Sequence, residues 1–353
     1  MSGEVDVDVH AGVETLPESR WNDLVAESPV GSVFHRTEWL RAVERGTDLS
    51  PRHVAAVRDG DPVGLLPNFV TGLDVGPSLP APLDRVAPRE LVSTQPGFGG
   101  RGAVADEHAV TARLLDGARA AADRGVWSHR VRALDPGYAR AATVLDERGY
   151  VPSTLTAQVV LDVSRPLEVV RSGFSKSRGR AITAARKAGT TVTEVEPDRP
   201  SIDAFYEHYD ALMDRLEGHR FPKRFMHALV DCLGDRVQLL RADRDGEAVG
   251  FHLNLRDEER DELHYYFAAV AGDHDHHPSS VLHDHAIERA VEEGYDAYNF
   301  GESNADPRDG GFGYKHQYGS RALPVLTWER GLARAGFGAY RVARRLYRMR
   351  TAD

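Results

Sequence analysis

Residues 296–328 read DAYNFGESNADPRDGGFGYKHQYGSRALPVLTW: an aromatic-rich strand, then Phe300-Gly301-Glu302-Ser303, a polar glycine-rich loop, Tyr314-Lys315 and Tyr318-Gly319. Glycine-rich backbone lets a ligand come close and leaves amide N–H groups free to bind it. A lysine ending such a loop, here Lys315, supplies a point charge to a phosphate or a developing oxyanion. The plain alternative is a structural loop with a surface lysine.

Upstream of this stretch the order of elements repeats. The first half opens on alternating Val5, Val7 and Val9, a strand pattern. Ser32–Leu40 leads into a helix with Thr37 as its N-cap. His53–Val57 and Val63–Val70 flank Arg-Asp-Gly-Asp, a hairpin signal. Residues 71–105, rich in Gly and Pro, read as loop. Helices at 108–124 and 138–148 and strands at 128–134 and 157–163 complete this half. The second half has a basic helix, a strand at 190–196, and helices at 201–217 and 222–232. A second Asp-Gly hairpin joins 237–242 to 248–255, and a β-prone run follows at 263–270 (LHYYFAAV). A helix at 279–293 stops at Gly294, and strand resumes at Ala297–Phe300. This is α+β order with a coarse internal period. The expected division is 1–165 and 166–329, followed by a basic helix at 330–353 that packs back on the first domain.

The chain has 353 residues and a net charge of −10, and its length favours two domains. No run approaches the ~18 apolar residues a membrane span needs, and the start lacks a signal-peptide pattern. The expectation is a soluble, cytoplasmic protein with no integral membrane span. A lone cysteine, Cys232, excludes an intrachain disulfide and a cysteine-based zinc cluster. Of 44 basic residues only Lys176, Lys187, Lys223 and Lys315 are lysines. Arginine-for-lysine usage with many aspartates fits a GC-rich genome and an acidic proteome. Segment 171–189 carries +6 and segment 330–350 carries +7, both without an acid, so the rest of the chain carries −23. Two basic segments on an acidic body invite an anionic partner.

The pattern aromatic-x-Phe-Gly-x-Ser, glycine-rich gap, aromatic-Lys, aromatic-Gly resembles the FemAB-like branch of the GNAT (Gcn5-related N-acyltransferase) superfamily. SVFHRTEWLRAV at 32–43 looks like that branch's N-terminal signature. FSKSRGRAITAARKAG at 174–189 looks like its central basic helix, with Arg178, Ile182, Ala184 or Ala185, Lys187 and Gly189 at the pattern positions. The resemblance implies two tandem GNAT-like domains, mixed sheets flanked by helices, and transfer of an acyl or aminoacyl group to an amine. The donor in such proteins is acyl-CoA or aminoacyl-tRNA, and the lysine matching their active-site lysine is Lys315. Three features depart from the pattern. The usual pyrophosphate loop is replaced by Asp273–Ser280, the helical arm of some tRNA-dependent members is missing, and Asn299 stands where an acid is usual.

Amine acylation needs a polarised carbonyl, a base for the ammonium nucleophile and an acid for the leaving group. The candidate catalytic residues are Lys315 for negative charge, Glu302 as base and Tyr266 as acid; Tyr265 and Tyr266 both also read as strand core. Lys176, Arg178, Arg180, Ser303, Asn304 and Tyr314 are candidate substrate ligands. Ser279 and Ser280, at a helix start, are candidates for the acyl-CoA co-substrate. The histidine cluster 274–285 reads as a solvated loop rather than a metal site: it lacks a His-Glu-x-x-His spacing, and His283 and His285 face different ways on a helix. The expected function is N-acyl transfer from acyl-CoA to an amine of a small or anionic acceptor, with no metal. The alternatives are an aminoacyl-tRNA-dependent transferase, with tRNA as partner, and a non-catalytic degenerate module on a membrane surface.

Overall fold

A computed structural model of the chain describes residues 4–72, 88–98, 104–133, 141–270, 276–304, 306, 308–333 and 337–338. In chain order the elements are β1 (Asp6–His10), α1 (Glu18–Glu27), α2 (Thr37–Gly46), β2 (Ser50–Pro51), β3 (His53–Arg58), β4 (Asp61–Leu66), β5 (Asn68–Gly72), β6 (Arg89–Thr94), β7 (Gly97–Phe98), α3 (Val104–Ala121), β8 (Val126–Ala133) and α4 (Ala142–Glu147). They continue as β9 (Val151–Asp162), α5 (Leu167–Ser172), α6 (Lys176–Lys187), β10 (Thr191–Val195), α7 (Arg199–Leu216), α8 (Lys223–Leu233), β11 (Val237–Arg244), β12 (Glu247–Asp257), β13 (Glu262–Ala269), α9 (Pro278–Glu293), β14 (Ala297–Asn304), α10 (Gly310–His316) and β15 (Arg321–Gly331).

Two compact units form. One holds residues 1–40, 48–154 and 325–353, the other 41–47 and 155–324. In the first unit β1, β3, β4 and β7 form one sheet, and β8 lies between β6 and β15 in another. Its core gathers Val54, Leu66, Leu91, Leu114, Val131 and Trp328. Residues 325–331 of β15 fold with this unit rather than with the segment 166–329 that they continue. Their pairing explains it: Leu326–Gly331 runs antiparallel to Ser128–Ala133 of β8, and Trp328 is buried.

The second unit has strand order β10-β11-β12-β13-β14-β9, with β13 and β14 parallel. Parallel neighbours need a long crossover, and α9 supplies it. Leu282, Ala286, Ile287 and Ala290 of α9 are fully buried against Leu240, Ala242, Leu263 and Tyr298 of the sheet. Both Asp-Gly hairpins form as the sequence implies. Asp59 and Gly60 have φ of 53° and 87°, and Asp245 and Gly246 have 54° and 84°. Two successive left-handed residues are what a type I′ turn requires.

Two stretches depart from the sequence reading. Residues 71–105 are not loop throughout, because β6 and β7 lie within them; residues 73–87 are outside the described set. The glycine-rich stretch after β14 likewise contains a helix, α10, which carries Lys315. Three glycines in seven residues hide this helix from propensity. Asp309 starts it as N-cap, its carboxylate accepting from Phe312 N at 2.9 Å. Of the basic helix expected over 330–353, Arg330 and Gly331 end β15 instead, because they pair with His129 and Ser128, and nearly all of the rest lies outside the described residues.

Candidate active site

The site is built where β13 and β14 stop pairing. Their parallel ladder joins Glu262–His264 to Ala297–Asn299, although the strands run on to Ala269 and Asn304. On its other side β14 slips register against β9 between Asn299 and Glu302, and β13 carries Tyr266 as an extra residue opposite Leu253 and Asn254. Such bulges bend a strand and re-aim its side chains. The bulge in β14 depends on Gly301, which has φ 72° and whose added Cβ would lie 3.3 Å from Tyr265 O. Asn299 locks it: its Oδ1 accepts from Gly301 N at 2.9 Å, and its Nδ2 donates to Glu262 Oε2 at 2.9 Å. An amide can do both at once and a carboxylate cannot. Asn299 therefore shapes the strand.

Lys315 reaches back from α10 to this bulge, its ammonium donating to Glu302 O at 2.7 Å. Burial disfavours its charge and lowers its pKa to about 8, against the opposing pull of Glu302 and Asp309. Asp309 thus serves twice, as cap and as a nearby negative charge. The Glu302 carboxylate accepts from Thr156 Oγ1 of β9 at 2.8 Å. His264, the last residue of β13 to pair with β14, is buried near the same charges. Desolvation holds its pKa down at about 4, so it is neutral at pH 7. Tyr266 sits beside it, with ring centroids 6.3 Å apart.

A second polar cluster joins residues of β12, α9, β14 and α10. Tyr314 donates to Ser279 Oγ at 3.1 Å, and Ser279 lies 3.4 Å from His252 Nε2. His283 of α9 is enclosed by rings of His252, Tyr265, Phe300 and Tyr318, and its Nδ1 is 2.9 Å from the Tyr298 hydroxyl. Desolvation keeps both histidines neutral: His252 falls to about 3 and His283 well below its usual value. Arg178 is 5% exposed. Its guanidinium lies 3.9 Å from the Tyr314 ring centroid and donates to Ser280 Oγ at 2.7 Å and Gln317 Oε1 at 3.1 Å. It ties α6, α9 and α10 together.

The structure therefore sorts the sequence candidates. It brings Lys315 and Glu302 together, and separately Tyr314, Ser279, Ser280 and Arg178. The hydroxyls of Ser279 and Ser280 are engaged inside the protein. Arg178 turns inward, while Lys176 and Arg180, one turn apart on α6, are exposed. Lys187 falls on the same helical face as these two and is exposed as well. Arg171 and Arg186 bind Asp284 of α9, which is 1% exposed on its side chain. Ser303 pairs through its backbone with Ala157, and Asn304 donates to Asp309 Oδ2 at 3.0 Å. His264, Thr156, His252 and Asp309 were not singled out by sequence. Only His264 carried a signal, standing two residues before Tyr266 in the β-prone run. Among the described residues no group of three or more His, Cys, Asp or Glu is placed to hold a metal ion, and no helix is long and apolar enough to cross a membrane. His274 of the histidine cluster is outside the described residues.

Residues 173–316 match the sequence model of the family described as Acetyltransferase (GNAT) domain. The fold is similar to several solved structures. FemX has a TM-score of 0.70 at 14% identity, covering 94% of this chain and 99% of that one. L-PGS from Bacillus licheniformis has 0.60 at 14% identity, covering 91% and 94%. A tandem GNAT protein from the clavulanic acid biosynthesis pathway has 0.58 at 12% identity, covering 93% and 99%. No curated protein matches the sequence.

Proposed function

We infer that this chain, an acyltransferase of the FemAB-like branch of the GNAT superfamily with two GNAT-like domains, transfers an acyl group from acyl-CoA to an amine of a small or anionic acceptor. The observation that carries this reading is the meeting of Lys315 and Glu302 at the β14 bulge, where the β13–β14 ladder ends. An ammonium has three N–H donors, and one of those on Lys315 is fixed by Glu302 O. The remaining two can face the oxygen of a thioester carbonyl as negative charge develops there, in a site partly shielded from water. The Glu302 carboxylate, held by Thr156, takes the proton of the attacking amine. Tyr266 is the candidate donor to the leaving thiolate. The N-terminus of α9, with Ser279 and Ser280, is the candidate place for the anionic end of the co-substrate through its backbone N–H groups.

Thermal shift tests the donor, because a ligand that binds only the folded state raises its stability. Acetyl-CoA and longer acyl-CoAs should raise the melting temperature, and no shift with any of them would remove the donor assignment. Once an acceptor is found by screening amines against the best donor, Lys315→Ala should cost about a hundredfold or more in kcat. Full activity in that variant would refute the site.

The exposed stripe Lys176, Arg180 and Lys187 favours a second donor, aminoacyl-tRNA. That reading predicts RNA binding that weakens steeply with added salt, by orders of magnitude if six or more phosphates are contacted. A flat salt response excludes it.

A further inference from the structure

We propose that Lys315 is itself an acyl acceptor: when donor is present without an amine substrate, the chain acylates this one lysine and silences its own site. This rests on the reading above for the donor's place, and on the chain's own geometry for the choice of lysine. The Lys315 amine is anchored at 2.7 Å to Glu302 O, at the bulge where the donor carbonyl is to be polarised. A nucleophile held at the reacting centre gains a large effective concentration over the same group on the surface.

The proton balance favours it too. With its pKa near 8, about one Lys315 in ten carries a free amine at pH 7, against about one in three thousand for an ordinary lysine. The step needs no further reactant. The Lys315 nitrogen bonds the acyl carbon, the carbon–sulfur bond breaks, and the thiolate takes up the proton the nitrogen sheds. The products are an amide and a free thiol. The amide is neutral and longer than the amine, so the site loses the charge that stabilises its transition state.

The composition supplies internal controls. Forty of the 44 basic residues are arginines, which do not compete for a thioester. Lys176 and Lys187 are exposed on α6, and Lys223 is tied to Asp203 at 2.7 Å.

The full chain, without acceptor, would be incubated at pH 7 with acetyl-CoA or with a small acetyl thioester lacking the nucleotide, and mapped by peptide mass spectrometry. With acetyl-CoA, acetylation of Lys315 is expected at least about tenfold faster than at Lys176 or Lys187, the preference shrinking as pH rises toward 10. Lys315→Arg, folded by its melting curve, should lose the label. If Lys176 or Lys187 reacts as fast as Lys315 with both reagents, the proposal fails. If the small thioester labels Lys315 selectively and acetyl-CoA does so no faster, the lysine assignment holds and the CoA reading falls. If acetyl-CoA binds and acylates an acceptor while Lys315 stays unlabelled, the proposal falls and the CoA reading holds.

Discussion

Lys315 is held in a place that does not suit its charge. Its pKa is lowered in the folded protein, so between pH 8 and the ordinary lysine value of 10.5 the unfolded chain binds more protons than the folded one. Stability from this group therefore rises with pH across that window, and at pH 7 its charge is a net cost. Lys315→Met, which keeps the length and removes the charge, should raise stability at pH 7 by about 1 kcal/mol after solvent screening, and should abolish transfer. A melting temperature that falls with this substitution would show that the bond to Glu302 O outweighs the buried charge. In the wild type, activity that needs the ammonium should decline as pH rises through about 8. Lys315 was legible in the sequence because a lysine is rare there and follows an aromatic residue after a glycine-rich gap. Arg178 was legible only as a charge. Its direction was not, since in a segment with no acid nothing local says which arginine turns inward. The partners that decide it, Ser280 and Gln317, are 102 and 139 residues away along the chain.

At the scale of elements, regular pieces with strong signals were legible: both hairpins, α9 with its terminal glycine, and the β-prone run that became β13. The pieces that make the site were harder, because they break local rules. α10 is a helix of poor formers, and its start is set by one carboxylate. Asp309→Ala should cost about 1 kcal/mol, the usual worth of such a cap. Because α10 carries Lys315, the same change should lower kcat more than a control cap loss at Asp198, which starts α7 through Ser201 N. Equal effects on kcat would mean that α10 holds its place without the cap. The β14 bulge is testable in the same way. Gly301→Ala forces a side chain into a left-handed conformation and toward Tyr265 O, so a loss of about 1–2 kcal/mol is expected, with transfer impaired in the protein that remains folded. The basic segment separates by face: Arg171 and Arg186 hold Asp284, and Lys176, Arg180 and Lys187 stay outside. The sequence showed its charge but not that division, since burial on one face is decided by α9.

At the scale of the whole molecule, one store of pH sensitivity among the described residues is a set of buried neutral imidazoles. His129 in the first unit, and His252, His264 and His283 in the second, all have pKa values pushed down by desolvation, to about 3, 3 and 4 for the first three. The unfolded chain protonates each near 6.5, so between that value and about 4 it binds more protons than the folded state. Stability is therefore complete above pH 6.5 and is lost as pH falls through the window, by roughly 1.4 kcal/mol per pH unit for each histidine fully protonated on unfolding. An opposing effect exists, because acidification reduces the net charge of −10 and its self-repulsion. That repulsion acts between exposed groups screened over about 8 Å at physiological salt, so the histidines should win. Carboxylates held low by their partners, such as Asp309 and Asp162, titrate below this range and do not confuse it. His252, His264 and His283, joined by His208 and His285 whose values desolvation lowers in the same direction, belong to the second unit. Hydrogen exchange at pH 7.5, 6.5 and 5.5, corrected for the intrinsic rate and followed by mass spectrometry, should show protection in β12, β13 and α9 falling further than in β6 and β8. Equal losses in the two units would overturn the assignment to the second unit's histidines, and no loss above pH 5 would mean that the imidazoles are hydrated enough to charge in place. In that last case any acid sensitivity of the unit that carries Lys315 would lie below pH 5 and come from its carboxylates.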